Sequence, residues 1–282
     1  MARAGSINVS HGGHIGDIVY GMAYAKQLSI ALDSDINIFI RSDQKDGYSE
    51  SMHHHNKSGF MVSAESFDYI KPLLLNESWV RHVEYRSSKD LEGAIPLDIY
   101  RFSQHISQVG GNISVWPRKL TGLQIDTCNP WLSTQPAPVP GRVVCAFSFR
   151  FRNVSIDYSV LNAIDDVLFV GLEQEAIDFI NRYGLKRVKY VITKNALEMA
   201  YVIASSQLFI GNQSMPFAIA ESIKLKRALE SFELIPNVIP NGPGAREYIT
   251  NQAFYSILKQ EGLIDADTPG PVADPEYKMC II

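Results

Sequence analysis

Three clusters of residues have the types and spacing that chemistry needs. The first is His11-Gly12-Gly13-His14-Ile15-Gly16-Asp17. A short apolar run, Ser6–Ser10, precedes it, and Ile18–Leu32 follows with the spacing of a largely buried helix. The cluster is therefore a strand-to-helix turn. Gly12, Gly13 and Gly16 permit positive φ and close backbone approach. The helix start behind them favours an anion or a carboxylate. Asp17 falls in the first helical turn, where a reactive carboxylate and a plain helix-start carboxylate look alike. Glycines at 12, 13 and 16 do not make the dinucleotide pattern GxGxxG, and no GKS or GKT follows to make a P-loop.

The second cluster is FIGNQSMPFAIAES, residues 209–222. A strand ends at Gly211, Asn212-Gln213-Ser214 turn the chain, and Pro216 sits in the first turn of a helix. With Ser214 as N-cap, the amides of residues 215–217 would face an anion. Glu221 lies about one and a half turns in, within reach of a sugar-like diol; an ordinary capped helix with a surface glutamate fits the same letters. The third cluster is FSFRFRN, residues 147–153. Arg150 and Arg152 alternate at strand spacing, as a bidentate phosphate clamp or as two arginines on a solvated edge. Lesser signals carry no site. His53–His55 lack metal-ligand spacing, Lys224, Lys226 and Arg227 read as a solvated helix face, and neither GxSxG nor HExxH occurs.

The elements that position these clusters alternate along the chain. Ser6–Ser10, the helix over 18–32 and the β-branched run Ile36–Ile40 form a βαβ opening. Ser63–Leu75 reads as a helix with Ser63 as N-cap, Trp79–Tyr85 as a strand, and 86–131 as mixed helix and loop. In the second half, strands are expected at Arg142–Phe147, Asp166–Val170, Val188–Ile192 and Gln207–Ile210. Helices are expected at Tyr158–Ile164, Glu173–Tyr183, Ala196–Ser205, Pro216–Leu229 and about 246–260. Such alternation implies parallel sheets, whose ligands gather at the strands' carboxyl ends. Leu132–Gly141, with three prolines in ten residues, reads as a linker between domains at 1–131 and 142–282.

Composition narrows the class. The chain has 282 residues, 46% apolar and 20% charged, with 26 basic and 30 acidic side chains and a net charge of −4. That balance argues against a coat for nucleic acid. Three widely spaced cysteines, Cys128, Cys145 and Cys280, read as reduced thiols of a cytoplasmic protein. No secretory h-region and no membrane-length apolar run are visible. The end MCII places Cys280 third from the terminus, where a prenylation signal needs it fourth.

Taken in order, the three clusters resemble the GT-B glycosyltransferases, and most closely glycosyltransferase family 9, the heptosyltransferase-like enzymes. Gly16-Asp17 matches the family's Gly-Asp pair at the start of the first helix. The resemblance makes Asp17 the catalytic base, with His14 orienting the acceptor or neutralising phosphate charge and His11 a weaker candidate. Gly211-Asn212-Gln213-Ser214-Met215 matches the Asp-Ser/Thr-Gly turn that grips the donor diphosphate. Ser214 keeps the hydroxyl, Gln213 replaces the acid, Met215 replaces the glycine, and Ala218 stands where a histidine is usual. Arg150–Asn153 resembles the family's basic loop, and FVGLEQE at 169–175 its strand-plus-Gly/Glu turn at Gly171.

The resemblance implies two Rossmann-like domains with an interdomain cleft. It also implies a C-terminal helix near their junction and inverting, metal-independent transfer of a hexose, heptose or pentose from a nucleotide sugar without a further cofactor. Donor contacts are then expected from Gly12, Gly13, Gly16, Arg150, Arg152, Asn153, Gly171, Asn212, Gln213, Ser214, Met215 and Glu221. The acceptor, a glycan, lipid head group or other hydroxyl-bearing molecule, would meet residues such as Tyr48, Trp79, Arg81, Tyr85, Arg101, Trp116 and Arg118. Two other classes stand beside this one: a nucleotide-sugar epimerase-like enzyme, and a non-catalytic sugar-nucleotide or glycan-binding protein.

Overall fold

The computed structural model describes residues 5–47, 58–106, 110–138 and 141–270. Tyr48, His53–His55, Cys280 and the end of the proline-rich segment at 139–140 lie outside those residues. The β-branched and apolar runs of the first half become β1 (Gly5–His11), β2 (Ser34–Arg41), β3 (Val80–Arg86) and the two-residue β4 (Ile95–Pro96). They form one parallel sheet in the order β3-β2-β1-β4, with Val9 opposite both Ile38 and Ile95. Helix α1 (Ile15–Ala31) links β1 to β2. Helix α2 (Ala64–Leu75) starts where the Ser63 hydroxyl accepts the Ser66 N–H, the cap expected there. The ambiguous stretch after residue 86 resolves into 3₁₀ turns, β4 and the short α3 (Trp116–Thr121). Trp79 and Trp116 are core residues, not an acceptor surface.

The second half forms a six-stranded parallel sheet from β5 (Val143–Ala146), β6 (Val167–Phe169), β7 (Lys189–Tyr190), β8 (Leu208–Gly211), β9 (Arg227–Glu230) and β10 (Ala245–Tyr248). Its order, β10-β9-β8-β5-β6-β7, is the doubly wound order that reverses between β5 and β8. The connecting helices are α4 (Glu173–Arg182), α5 (Ala196–Ala204), α6 (Met215–Ser222) and the final α7 (Asn251–Gln260). The helix expected over Pro216–Leu229 is shorter than that. It stops at Ser222, Lys224 turns the chain at φ 55°, and Arg227–Glu230 is a buried strand. A strand reading RALE hides its pattern because its charged ends are neutralised inside the protein. Arg227 is fully buried between Glu221 and the carbonyls of Leu225 and Pro243. It therefore belongs to no solvated face.

Two apolar cores hold the elements. One lies entirely within the second half, and Phe254, Ile257 and Leu258 of α7 pack into it beside Phe147, Phe169 and Phe179. The other runs across both sheets. Ile18, Val19 and Met22 of α1 and Leu73 and Leu74 of α2 share it with Met199 and Ile203 of α5 and Phe217 and Ile219 of α6. Trp131 ties the crossing chain to this shared core. Its ring N–H donates to the Val19 carbonyl at 3.0 Å, and its backbone N–H donates to the Ser222 carbonyl. The proline-rich segment is packed from its start: Leu132 is buried, and the Ala137 N–H donates to the Tyr201 carbonyl.

A titratable group sits in the second core. Glu230 at the end of β9 accepts the Tyr158 hydroxyl at 2.5 Å and the Asn153 N–H at 2.6 Å. Burial pushes its carboxyl up from 4.5 to about 7. A carboxyl that holds its proton more tightly when folded stabilises most below its unfolded value, and that contribution is lost as pH rises through the folded value. A shift of this size is worth about 3 kcal/mol. His11 works in the opposite sense over an overlapping range, because burial pushes it down from 6.5 to about 4. The wild type's own slope therefore mixes opposing groups, Glu175 among them. Comparing it with Glu230→Gln isolates the carboxyl. We expect the variant to gain up to about 3 kcal/mol on the wild type between pH 4.5 and about 7. Parallel curves of unfolding free energy against pH would refute this assignment.

Candidate active site

The turn after β1 does not have the backbone its glycines suggest. None of Gly12, Gly13 and Gly16 has positive φ. What they share is a missing Cβ where something else must fit. A Cβ on Gly12 would lie 2.5 Å from Nη2 of Arg41, and one on Gly13 would lie 2.8 Å from both Arg101 Nη2 and Asp17 Oδ2. A Cβ on Gly16 would stand 3.5 Å from the backbone nitrogen of Met215, across in the second half. The first two glycines thus leave room for the protein's own arginines. The third lets the start of α1 lie against the start of α6.

Around this turn sits a charge cluster at the carboxyl ends of β1, β2 and β4. Asp98, fully buried just after β4, accepts the Gly12 N–H at 3.1 Å and Arg41 Nη2 at 2.5 Å. Burial opposes its ionisation, but the Arg41 charge and the hydrogen bonds from Arg41 and the Gly12 N–H outweigh burial and hold its carboxyl below the usual range. Arg41 also donates to the Ser10 hydroxyl, and its guanidinium lies 5.4 Å from the centre of the Phe102 ring. Arg101 forms an ion pair with Asp17, and both side chains are 25% exposed. His11 is held neutral by burial. Its Nδ1 accepts the Gly13 N–H at 2.9 Å, which places its proton on Nε2. His14 is the N-cap residue of α1 without a side-chain capping bond. Its Nδ1 lies 3.0 Å from the Met61 carbonyl, an acceptor only, so that nitrogen carries a proton. Its Nε2 is 3.8 Å from Asp46 Oδ1, and burial lowers its pKa.

The second half brings the loops after β5 and β8 to the same place. Asn212 is the pin: its amide donates to the Ser148 and Arg150 carbonyls, and its oxygen accepts the Ser148 N–H. Arg150 is half-buried beside the Phe151 ring, and its charge acts on His14 of the first half. Ser214 caps the start of α6 by position, while its hydroxyl donates to the Asn212 carbonyl. Gln213 is buried and donates to the Ile235 carbonyl and Asn237 Oδ1, and Met215 is half-buried opposite Gly16. Gly171 does adopt positive φ, 127°, and its carbonyl accepts the Tyr190 hydroxyl.

Three expected donor residues are committed elsewhere. Arg152 is buried, pairs with Asp178 at 2.5 Å and donates to the Phe147 carbonyl. Asn153 is buried between Glu230 and the Ile249 carbonyl. Glu221 is fully buried and holds Lys224 at 2.6 Å and Arg227, so it faces the interior and not a diol. The reason is common to all three: each balances a charge or an unpaired backbone group that the fold buries. The structure adds residues that sequence reading passed over. Asp98 and Arg41 follow strands with no visible motif, and Arg101 stood only among possible acceptor contacts. Glu175 is pushed up to about 7, chiefly by burial; it lies in the FVGLEQE turn, which did signal a site. Among the described residues no group of three or more His, Cys, Asp or Glu is arranged to hold a metal ion, and no helix is long and apolar enough to cross a membrane.

No family model and no curated protein matches the sequence. Solved structures do match the fold. A glycosyl transferase family 9 protein from Veillonella parvula superposes over 94% of this chain and 91% of its own, with TM-score 0.55 and 10% identity. The dodecameric iron-containing heptosyltransferase TibC of enterotoxigenic E. coli, solved with ADP-D-β-D-heptose, gives TM-score 0.51 at 12% identity. That match covers 88% of this chain but only 62% of the TibC chain. E. coli heptosyltransferase WaaC, with ADP-2-deoxy-2-fluoro heptose, gives TM-score 0.49 at 10% identity over 90% and 99% of the two chains. The fold is the α/β arrangement of parallel sheets found in GT-B glycosyltransferases.

The two arginines of the loop after β5 should separate cleanly. Arg152→Ala strands the part-exposed Asp178 and the Phe147 carbonyl, at a cost of about 2–4 kcal/mol in unfolding free energy by urea titration. Arg150→Ala, at a half-buried position, should cost less than half as much in the same titration. Equal losses would mean that both arginines serve the fold.

Proposed function

We propose that this chain is a GT-B glycosyltransferase of the family 9 type. It would move a sugar from a nucleoside-diphosphate donor to an acceptor hydroxyl with inversion. One observation carries the reading: the turn bearing Asp17 and the start of α6 meet at Gly16 and Met215, with Arg150 charged beside them. A carboxylate and an anion-binding helix start, from two different sheets, thereby share one site. The likeness in fold to family 9 and heptosyltransferase structures supports it.

On this reading, residues 1–131 form the acceptor side, 132–141 the crossing segment and 142–282 the donor side, with the cleft between the carboxyl ends of the two sheets. The donor is a nucleotide sugar, and the protein is cytoplasmic. The diphosphate lies against the α6 amides near Ser214, with Arg150 as its cation, and needs no metal or further cofactor. The acceptor oxygen attacks the anomeric carbon from the face opposite the diphosphate. Sugar hydroxyls do not ionise near neutral pH, so Asp17 takes the proton as the new bond forms. Charge building on the departing diphosphate meets Arg150 and the helix start, which are already in place. A non-catalytic nucleotide-sugar-binding reading draws support from the commitment of Arg152, Asn153 and Glu221 to the interior.

A panel of nucleotide sugars with glycan and lipid-linked acceptors distinguishes the readings by product: a glycoside, an isomerised donor, or bound donor only. Asp17→Asn should keep nucleotide affinity and lose about 10²–10⁴ in transfer rate. The product's anomeric proton should report inversion by NMR. Arg150→Ala should weaken nucleotide binding tenfold or more in calorimetry, the loss of about one charge-assisted hydrogen bond. Wild-type transfer by Asp17→Asn would place the base elsewhere, and a retained anomeric configuration would exclude direct displacement.

A further inference from the structure

We propose that Arg101 is a positioning residue for Asp17, the outer link of a chain of alternating charges, Arg41–Asp98–Arg101–Asp17. The inference rests on the reading of Asp17 as the base. Asp98 is the anchor. It is fully buried, lies two residues past the short β4, and is held by Arg41 and the Gly12 N–H. Arg101 Nε lies 3.8 Å from Asp98 Oδ2, and Arg101 Nη2 pairs with Asp17 Oδ2. One planar guanidinium thus spans two carboxylates, one buried and one at the site. A lysine presents a single point charge and cannot hold two carboxylates in a fixed plane.

The turn is shaped around this pair. Gly13 has ordinary negative φ, so flexibility does not explain it. A Cβ there would stand 2.8 Å from Arg101 Nη2 and from Asp17 Oδ2, and 2.9 Å from the His11 ring. Glycine at 13 is what lets the guanidinium and the carboxylate meet over the backbone. A base must be held within about half an ångström and 10–20° of its working geometry, and it needs neighbours that lock its rotamer. Arg101 occupies Oδ2 and leaves the second carboxylate oxygen for the acceptor's proton.

Two independent perturbations test this in the full-length protein. Arg101→Ala removes the link. Gly13→Ala keeps both side chains and drives a methyl between them. With a donor and acceptor pair found by the panel, both variants should lose about 10²-fold in kcat, as expected for a misplaced reacting group. Donor KM and nucleotide affinity should stay within about twofold, a factor small against the tenfold of 1.4 kcal/mol. Arg101→Lys should fall between Arg101→Ala and the wild type. Guanidinium ion at a non-denaturing concentration should partly restore Arg101→Ala and leave Gly13→Ala unchanged. An Arg101→Ala protein transferring at the wild-type rate, or one whose loss lies wholly in KM, overturns the positioning role while the transferase reading stands. A folded wild type that transfers from no donor in the panel removes the transferase reading, and the positioning role falls with it.

Discussion

The contact between α1 and α6 is the constraint on which the site depends. Each helix starts at the carboxyl end of its own parallel sheet, where the doubly wound rule puts ligands. Packing the apolar sides of α1 and α6 into one core sets the two helix starts against each other at Gly16 and Met215. Two loop systems distant in sequence, 11–17 and 147–153, become neighbours through that packing. The positive dipole ends of both helices then lie next to each other.

Around that contact the protein commits several charged groups to holding shape. Asp98, Glu221, Arg227 and Glu230 are fully buried, and Arg41 and Arg152 nearly so. A buried charge without partners is costly, and each of these has at least one. The networks do different work. Glu221 and Arg227 secure the turn from α6 into β9, and Arg152 and Asn153 secure the loop after β5. Asp98 and Arg41 secure the glycine turn. On the proposed reading, Asp17, Arg150 and the amides beginning α6 do the chemistry that these networks support.

Much of the alternation of strand and helix was legible because β-branched runs and glycine turns punctuate it. The parallel pairing of β1 with β2 and the start of α2 at Ser63 follow directly from such local signals. β9 was not legible, because Arg227-Ala-Leu-Glu230 has a strand's burial without a strand's composition. β4, two residues long, has no periodicity to read. The site divided in the same way. Asp17 stood out through its position in a turn, and Asn212 and Ser214 through theirs. Arg152 and Glu221 have the right types and spacing for a phosphate and a diol, but their partners, Asp178 and Arg227, are chosen by tertiary packing that no spacing rule encodes. Arg101 and Asp98 were invisible as a pair because their meaning lies in a glycine 85 or more positions away, at Gly12 and Gly13.

The shared core has a further consequence for how the molecule comes apart. A core to which α1, α2, α5 and α6 all contribute cannot lose one half and keep the other's apolar surface covered. Trp131, bonded to both Val19 and Ser222, stitches the crossing chain into the same surface. The two sheets should therefore melt together, though a chain of this length has room for two cooperative units. Severing the backbone within the proline-rich segment would leave the halves associated, each serving as the other's solvent shield. Either half made alone would present an aggregation-prone face of packed methyl and aromatic groups to water.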